Sequence, residues 1–83
     1  MKFGIICMSV AFILVNCDMG YEIQTITKLK ELCDEVRGTY GMFDIICKLN
    51  YEGMESFEKT LQKIRRIEKI THTNTIHTIP EQS

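Results

Sequence analysis

The chain has 83 residues, with ten Lys and Arg against eleven Asp and Glu, a formal charge of -1 and a pI near 6.1. That is room for one small domain. The charge balance excludes a strongly basic surface built for nucleic acid, and the ordinary apolar content, without repeats or low-complexity blocks, excludes a disordered chain. A chain of this size buries only about 60% of its unfolded surface, so association is a common way to complete the core.

Lys2 followed by the apolar run 3–15 has the outline of a short signal peptide or membrane anchor. It is shorter than the roughly 20 apolar residues a spanning helix needs. Val15-Asn16-Cys17-Asp18 also lacks the small residues of a cleavage site. The run is therefore read as retained, with no membrane association. Met8 is a second plausible start, which divides the chain into an extension over 1–7, a domain over 8–80 and a tail over 81–83.

Residues 10–17 (VAFILVNC), β-branched and aromatic and closed by Asp18-Met19-Gly20, predict a buried strand. Asp18 or Gly20 is the expected start of a helix. Ile23, Ile26, Leu29, Leu32 and Cys33 then recur three or four apart, with Lys28, Lys30 and Glu31 between them, as in an amphipathic helix. Residues 36–40 predict a second strand broken by Gly41, and 43–49 a third, stopped by Asn50-Tyr51-Glu52-Gly53. Met54, Phe57, Leu61 and Ile64 mark the stripe of a second helix over about 55–67. The Thr-rich 71–79 predicts a fourth strand, ended by Pro80.

The order βαββαβ, with right-handed crossovers, implies an α+β, ferredoxin-like domain: a four-stranded antiparallel sheet with both helices on one face. The other face is open, yet the strands do not alternate apolar with polar. Ala11, Ile13 and Val15 point one way while Val10, Phe12 and Leu14 point the other; Phe43, Ile45 and Cys47 likewise oppose Ile46. A sheet with one wet face should alternate. The second face is therefore expected to pack on another copy, a burial worth several kcal/mol at about 25 cal/mol per Å²; the alternative is that residues 1–7 fold over it.

The four cysteines, Cys7, Cys17, Cys33 and Cys47, are far apart and form no C-x-x-C pair. They read as reduced core thiols in a cytoplasmic protein. His72 and His77, five apart on a strand, point to opposite faces and make a poor chelating pair. No nucleophile–base–acid set and no phosphate-cradling loop is visible, so the reading includes no enzyme activity, no metal and no cofactor. The basic residues Lys59, Lys63, Arg65, Arg66 and Lys69 suit the dipole at the end of the second helix. Residues 37–43 (RGTYGMF) are similar to the RNP1 motif of RNA-recognition domains. That motif needs stacking aromatics two apart on one face, whereas Tyr40 and Phe43 are three apart.

Residues 37–49 (RGTYGMFDIICKL) set a carboxylate, Asp44, where a glycine turn opens into an apolar strand. That placement suggests a small-ligand site. In order along the chain stand AFILVN followed by Asp18 and Gly20, then Gly41-Met42-Phe43-Asp44 before an apolar strand, then IRRIEKI over 64–70, and last Thr73-Asn74-Thr75. Together, from about Ser9 to Pro80, they resemble the effector-binding (RAM) domain of the leucine-responsive and asparagine-regulator (Lrp/AsnC) transcription factors, in a stand-alone form without the helix-turn-helix.

The resemblance implies the same βαββαβ fold, dimers that pair their sheets face to face, and larger rings, commonly octamers. It implies binding of a free amino acid or related metabolite near the contacts between dimers, with Gly41 to Asp44 forming part of the site. Full-length members carry an N-terminal helix-turn-helix for which this chain has no room. The expected partners are therefore copies of itself, a small amino acid effector and a full-length Lrp/AsnC regulator, with no direct DNA binding.

At such a site Asp44 can accept charge-assisted bonds from an ammonium, and backbone N–H groups around Gly41 and Met42 can hold the carboxylate. Thr73 and Thr75 can add hydroxyls, while Tyr40, Met42 and Phe43 can pack on the effector side chain. Set against this, Asp44 can simply cap its turn and the threonines can be strand formers. The expected function is an amino-acid-sensing regulatory module that acts through oligomerisation in transcription regulation. The alternative is a ligand-free interaction domain that forms mixed oligomers with full-length regulators.

Overall fold

The computed structural model describes residues 9–79. The expected extension over 1–7, Met8, Cys7, Pro80 and the tail over 81–83 lie outside the described residues.

β1 (Ser9–Cys17) is the spine of an antiparallel sheet in the order β2-β3-β1-β4, with β2 at Glu35–Gly38, β3 at Ile45–Tyr51 and β4 at Ile70–His77. The helices are α1 (Glu22–Lys30) and α2 (Met54–Arg65). The expected ferredoxin-like βαββαβ arrangement is thus the observed one. β1 pairs β3 from Ser9↔Tyr51 to Val15↔Ile45, and β4 from Ala11↔His77 to Asn16↔His72 before the register shifts at Cys17.

This register puts Ala11, Ile13, Val15, Ile45 and Cys47 on the helix side, all fully buried. Leu29 from α1 and Phe57, Leu61 and Ile64 from α2 close over them. Each buried Val, Ile, Leu or Phe among them contributes about 1.5–3 kcal/mol by leaving water.

The elements differ from the sequence expectation at their ends. β2 stops at Gly38 and β3 begins only at Ile45, because the Thr39 N–H bonds the Asp44 carbonyl (2.8 Å) and closes a loop over 39–44. Tyr40 and Phe43 are therefore loop residues. α1 starts after Tyr21, which makes no side-chain cap; the Tyr21 N–H instead bonds the Asp18 carbonyl, and Gly20 takes φ +90°. Gly53, extended, precedes α2.

Ile23 was expected in the apolar stripe of α1 but is 80% exposed; Thr25 takes the core position. Thr25 and Leu29 are one turn apart on the core face, and a residue two before Thr25 points away from it. The Thr25 hydroxyl is spent on the Tyr21 carbonyl (2.7 Å), which lets it lie in an apolar setting. Met54 likewise leaves the expected stripe of α2 and is largely exposed.

Among the described residues the second face carries no helix. Phe12 and Leu14 run down its middle with Ile46 and Ile76 beside them, all only partly buried or exposed. It is less uniformly apolar than the alternation implied. Glu35, Arg37 and Lys48 form a charged margin on the β2 side, and Asn16, His72 and Asn74 form a polar margin toward β4.

Candidate functional site

The loop over 39–44 sits at the end of the sheet where β1 finishes. β1 runs past the last Val15↔Ile45 pair, so the Cys17 N–H has no strand partner on the β3 side. The Asp44 carboxylate supplies one: the Cys17 N–H donates to Asp44 Oδ2 (3.0 Å). In return the Asp44 N–H donates to the Val15 carbonyl (3.0 Å) and lies 3.2 Å from Asn16 Oδ1. The Thr39 hydroxyl bonds the Phe43 carbonyl and stiffens the loop. Asp44 thus locks the loop to β1 through both its backbone and its side chain, and Oδ1 has no hydrogen-bond partner among the described residues.

Within this lock, Gly41 has φ +132° with open space around it. Only glycine takes such a backbone without strain. Tyr40 is fully exposed and Met42 nearly so, while Phe43 is half-buried. In none of four surface hollows of the described residues do these three side chains join Asp44. Thr73 and Thr75 lie elsewhere: they face Val15 and Ile13 from β4, on the other side of β1 from the loop. The same four hollows are lined by other side chains.

Sequence reasoning missed Asn16. It is the polar end of the open-face row Val10, Phe12, Leu14, and it sits between Asp44 on one side and His72 on the other. The signal was present, as a lone polar residue ending an apolar alternation. His72 and His77 do fall on opposite faces, aligned with Asn16 and Ala11. His77 has a partner that spacing could not show, the Tyr51 hydroxyl at 2.9 Å from Nδ1, with Phe57 stacked nearby. Cys17, Cys33 and Cys47 are free thiols. Burial pushes the Cys17 thiol up from its usual range, and the nearby Asp44 charge adds to this. Among the described residues no three His, Cys, Asp or Glu groups converge to hold a metal, and no helix is long and apolar enough to cross a membrane.

Solved structures share this arrangement. The hypothetical protein PHS023 from Pyrococcus horikoshii is 30% identical over 89% of this chain and 93% of its own, with a TM-score of 0.82. FFRP-DM1 is 29% identical over 87% of this chain and 100% of its own, with a TM-score of 0.81. AsnC of E. coli superposes with a TM-score of 0.81 at 21% identity, covering 88% of this chain.

The chain belongs to the Lrp/AsnC family.

It corresponds to the RAM-like part of that family and spans 52% of E. coli AsnC, so the whole length of that protein is not represented. No family model and no curated protein matches the chain. Membership makes it a domain related to transcription regulators.

Proposed function

We propose that this Lrp/AsnC chain is an amino-acid-sensing module that works in the cytoplasm through its state of assembly. The observation that carries the reading is the helix-free sheet face, with Phe12, Leu14 and Ile46 on it. Pairing two such faces removes that apolar strip from water, and the charged margin of Glu35, Arg37 and Lys48 gives the pairing a polar rim.

A dimer formed this way leaves the ends of both sheets free to meet other dimers in a ring such as an octamer. There the projecting Tyr40, Met42 and Phe43 become walls, and Asp44 offers its unpartnered Oδ1 to an ammonium group. Gly41 allows close approach to the backbone. Thr73 and Thr75 reach a ligand held here only if a second chain completes the site. A ligand that binds one assembly state better than another shifts the population toward it.

Native mass spectrometry across a panel of free amino acids tests this. The expected result is a dimer or multiple of dimers that takes up ligand per subunit with one class of amino acid. A monomer at micromolar concentration, with no uptake for any member of the panel, sinks the proposal.

One observation favours a second reading. Asp44 Oδ2 is already committed to the Cys17 N–H. On that reading the module binds no effector and joins mixed oligomers with a full-length Lrp/AsnC regulator. Subunit exchange with such a regulator, without ligand uptake, distinguishes the two.

A further inference from the structure

The sheet face opposite the helices ends in polar groups. Along β1 it carries Phe12 and Leu14 and then Asn16, which is half-buried. Asn16 has a neighbour on each side. Toward β3, the Asp44 N–H lies 3.2 Å from Asn16 Oδ1, a donor it shares with the Val15 carbonyl (3.0 Å). Toward β4, Asn16 is the register partner of His72, so the two side chains share a face with their Cβ atoms about 4.5–5.5 Å apart. His72 is exposed. The Asn16 backbone is held too, its carbonyl accepting from the Thr71 hydroxyl (3.3 Å).

The contact with Asp44 decides which way the Asn16 amide points. A backbone N–H needs an oxygen, so Oδ1 turns to Asp44 and Nδ2 turns away with two donors to offer. Among the described residues neither Nδ2 nor the His72 ring has a hydrogen-bond partner, and Asp44 Oδ1 has none either. A charged acceptor therefore stands at one end of a short row whose other members donate.

We propose that Asn16 and His72 are ligand-binding residues, which with Asp44 clamp the two charged ends of a free α-amino acid. Asp44 Oδ1 takes the ammonium, and Asn16 Nδ2 and the His72 ring N–H take the carboxylate. This rests on the amino-acid-sensing reading above and names the groups that recognise the effector. The ammonium and carboxylate of an α-amino acid hang from one carbon, so the groups that hold them must be close neighbours, as adjacent register positions are. Thr73 and Thr75 face Val15 and Ile13 on the helix side, whereas His72 shares the face of Asn16 and reaches it without a second chain. Leu14 comes next on the same face, which sets a bound amino acid at the margin of the apolar strip.

The test is isothermal titration of the full chain with each of the twenty standard amino acids, repeated for three variants with whichever bind. Asn16→Asp keeps an oxygen for the Asp44 N–H and replaces the two donors with a carboxylate. His72→Phe removes the ring nitrogens at an exposed position, and His72→Gln restores a donor there. The expected result is binding weakened about tenfold in Asn16→Asp and in His72→Phe, the equivalent of one hydrogen bond to a charged group, with His72→Gln close to wild type. Undiminished binding in His72→Phe, or equal losses in His72→Phe and His72→Gln, overturns the clamp and leaves the sensing reading standing. A wild-type chain that binds none of the twenty overturns both. If Asn16→Asp fails to fold, the two His72 variants decide the matter.

Discussion

Replacing Asp44 separates its two tasks. In Asp44→Ala the Cys17 N–H at the end of β1 loses its acceptor, Asp44 Oδ2 at 3.0 Å. A hydrogen bond to a charged group contributes about 1.5–3 kcal/mol. The bond is only part-buried, so the lower figure applies, about 1.5 kcal/mol. For a domain of this size each kcal/mol moves the melting temperature by about 4–8 °C, which gives a fall of about 6–12 °C. Asp44→Asn keeps a carbonyl acceptor at the same place and loses the charge. A neutral bond is roughly half as strong, so its fall is about half that of the alanine variant.

Thermal melts with and without amino acids read both tasks. Asn should fall about half as far as Ala and lose any amino-acid-induced shift, because only the charge holds an ammonium strongly. Equal falls for Ala and Asn, or no fall for Ala, would refute the strand-end role of the carboxylate. A ligand shift that survives in Asn would refute its role in recognition.

Leu14→Lys puts a charge in the middle of the helix-free face, between Ile46 and Asn74. Two copies facing each other then oppose like charges at a cost of several kcal/mol, and light scattering should show a monomer whose circular dichroism is unchanged. Gly41→Ala meets no atom but must adopt φ +132°, so urea unfolding should show a loss of about 1–3 kcal/mol from backbone strain alone. Phe57→Ala empties a site only 2% exposed, under the Tyr51 and His77 rings. It should cost about 3–5 kcal/mol in the same assay. For Cys17, alkylation rate against pH should rise at higher pH than for an ordinary thiol, since burial raises its pKa and leaves less thiolate at a given pH.

Element type and order were legible from local pattern. The β-branched run before Asp18, the spacing of Ile26 and Leu29, and the stripe Phe57, Leu61, Ile64 each encode their period in neighbouring residues, and right-handed crossovers leave one economical way to assemble them. The apolar row on the second face was legible for the same reason. Element ends were less so. Local pattern extended β2 through Tyr40, but the Thr39–Asp44 bond ended it at Gly38. Ile23 is as apolar as Ile26, and only the docking of α1 on the sheet decided that Thr25 would be buried and Ile23 would not.

The candidate site divides in the same way. Asp44 beside a glycine turn stands out in the sequence because both residues lie within a few positions of each other. Its bond to Cys17 spans 27 positions and its contact with Asn16 spans 28. Separation of that kind is set by strand register, and register is a property of the assembled sheet: shifting β3 against β1 by one residue would leave every local pattern intact and dissolve all of these contacts.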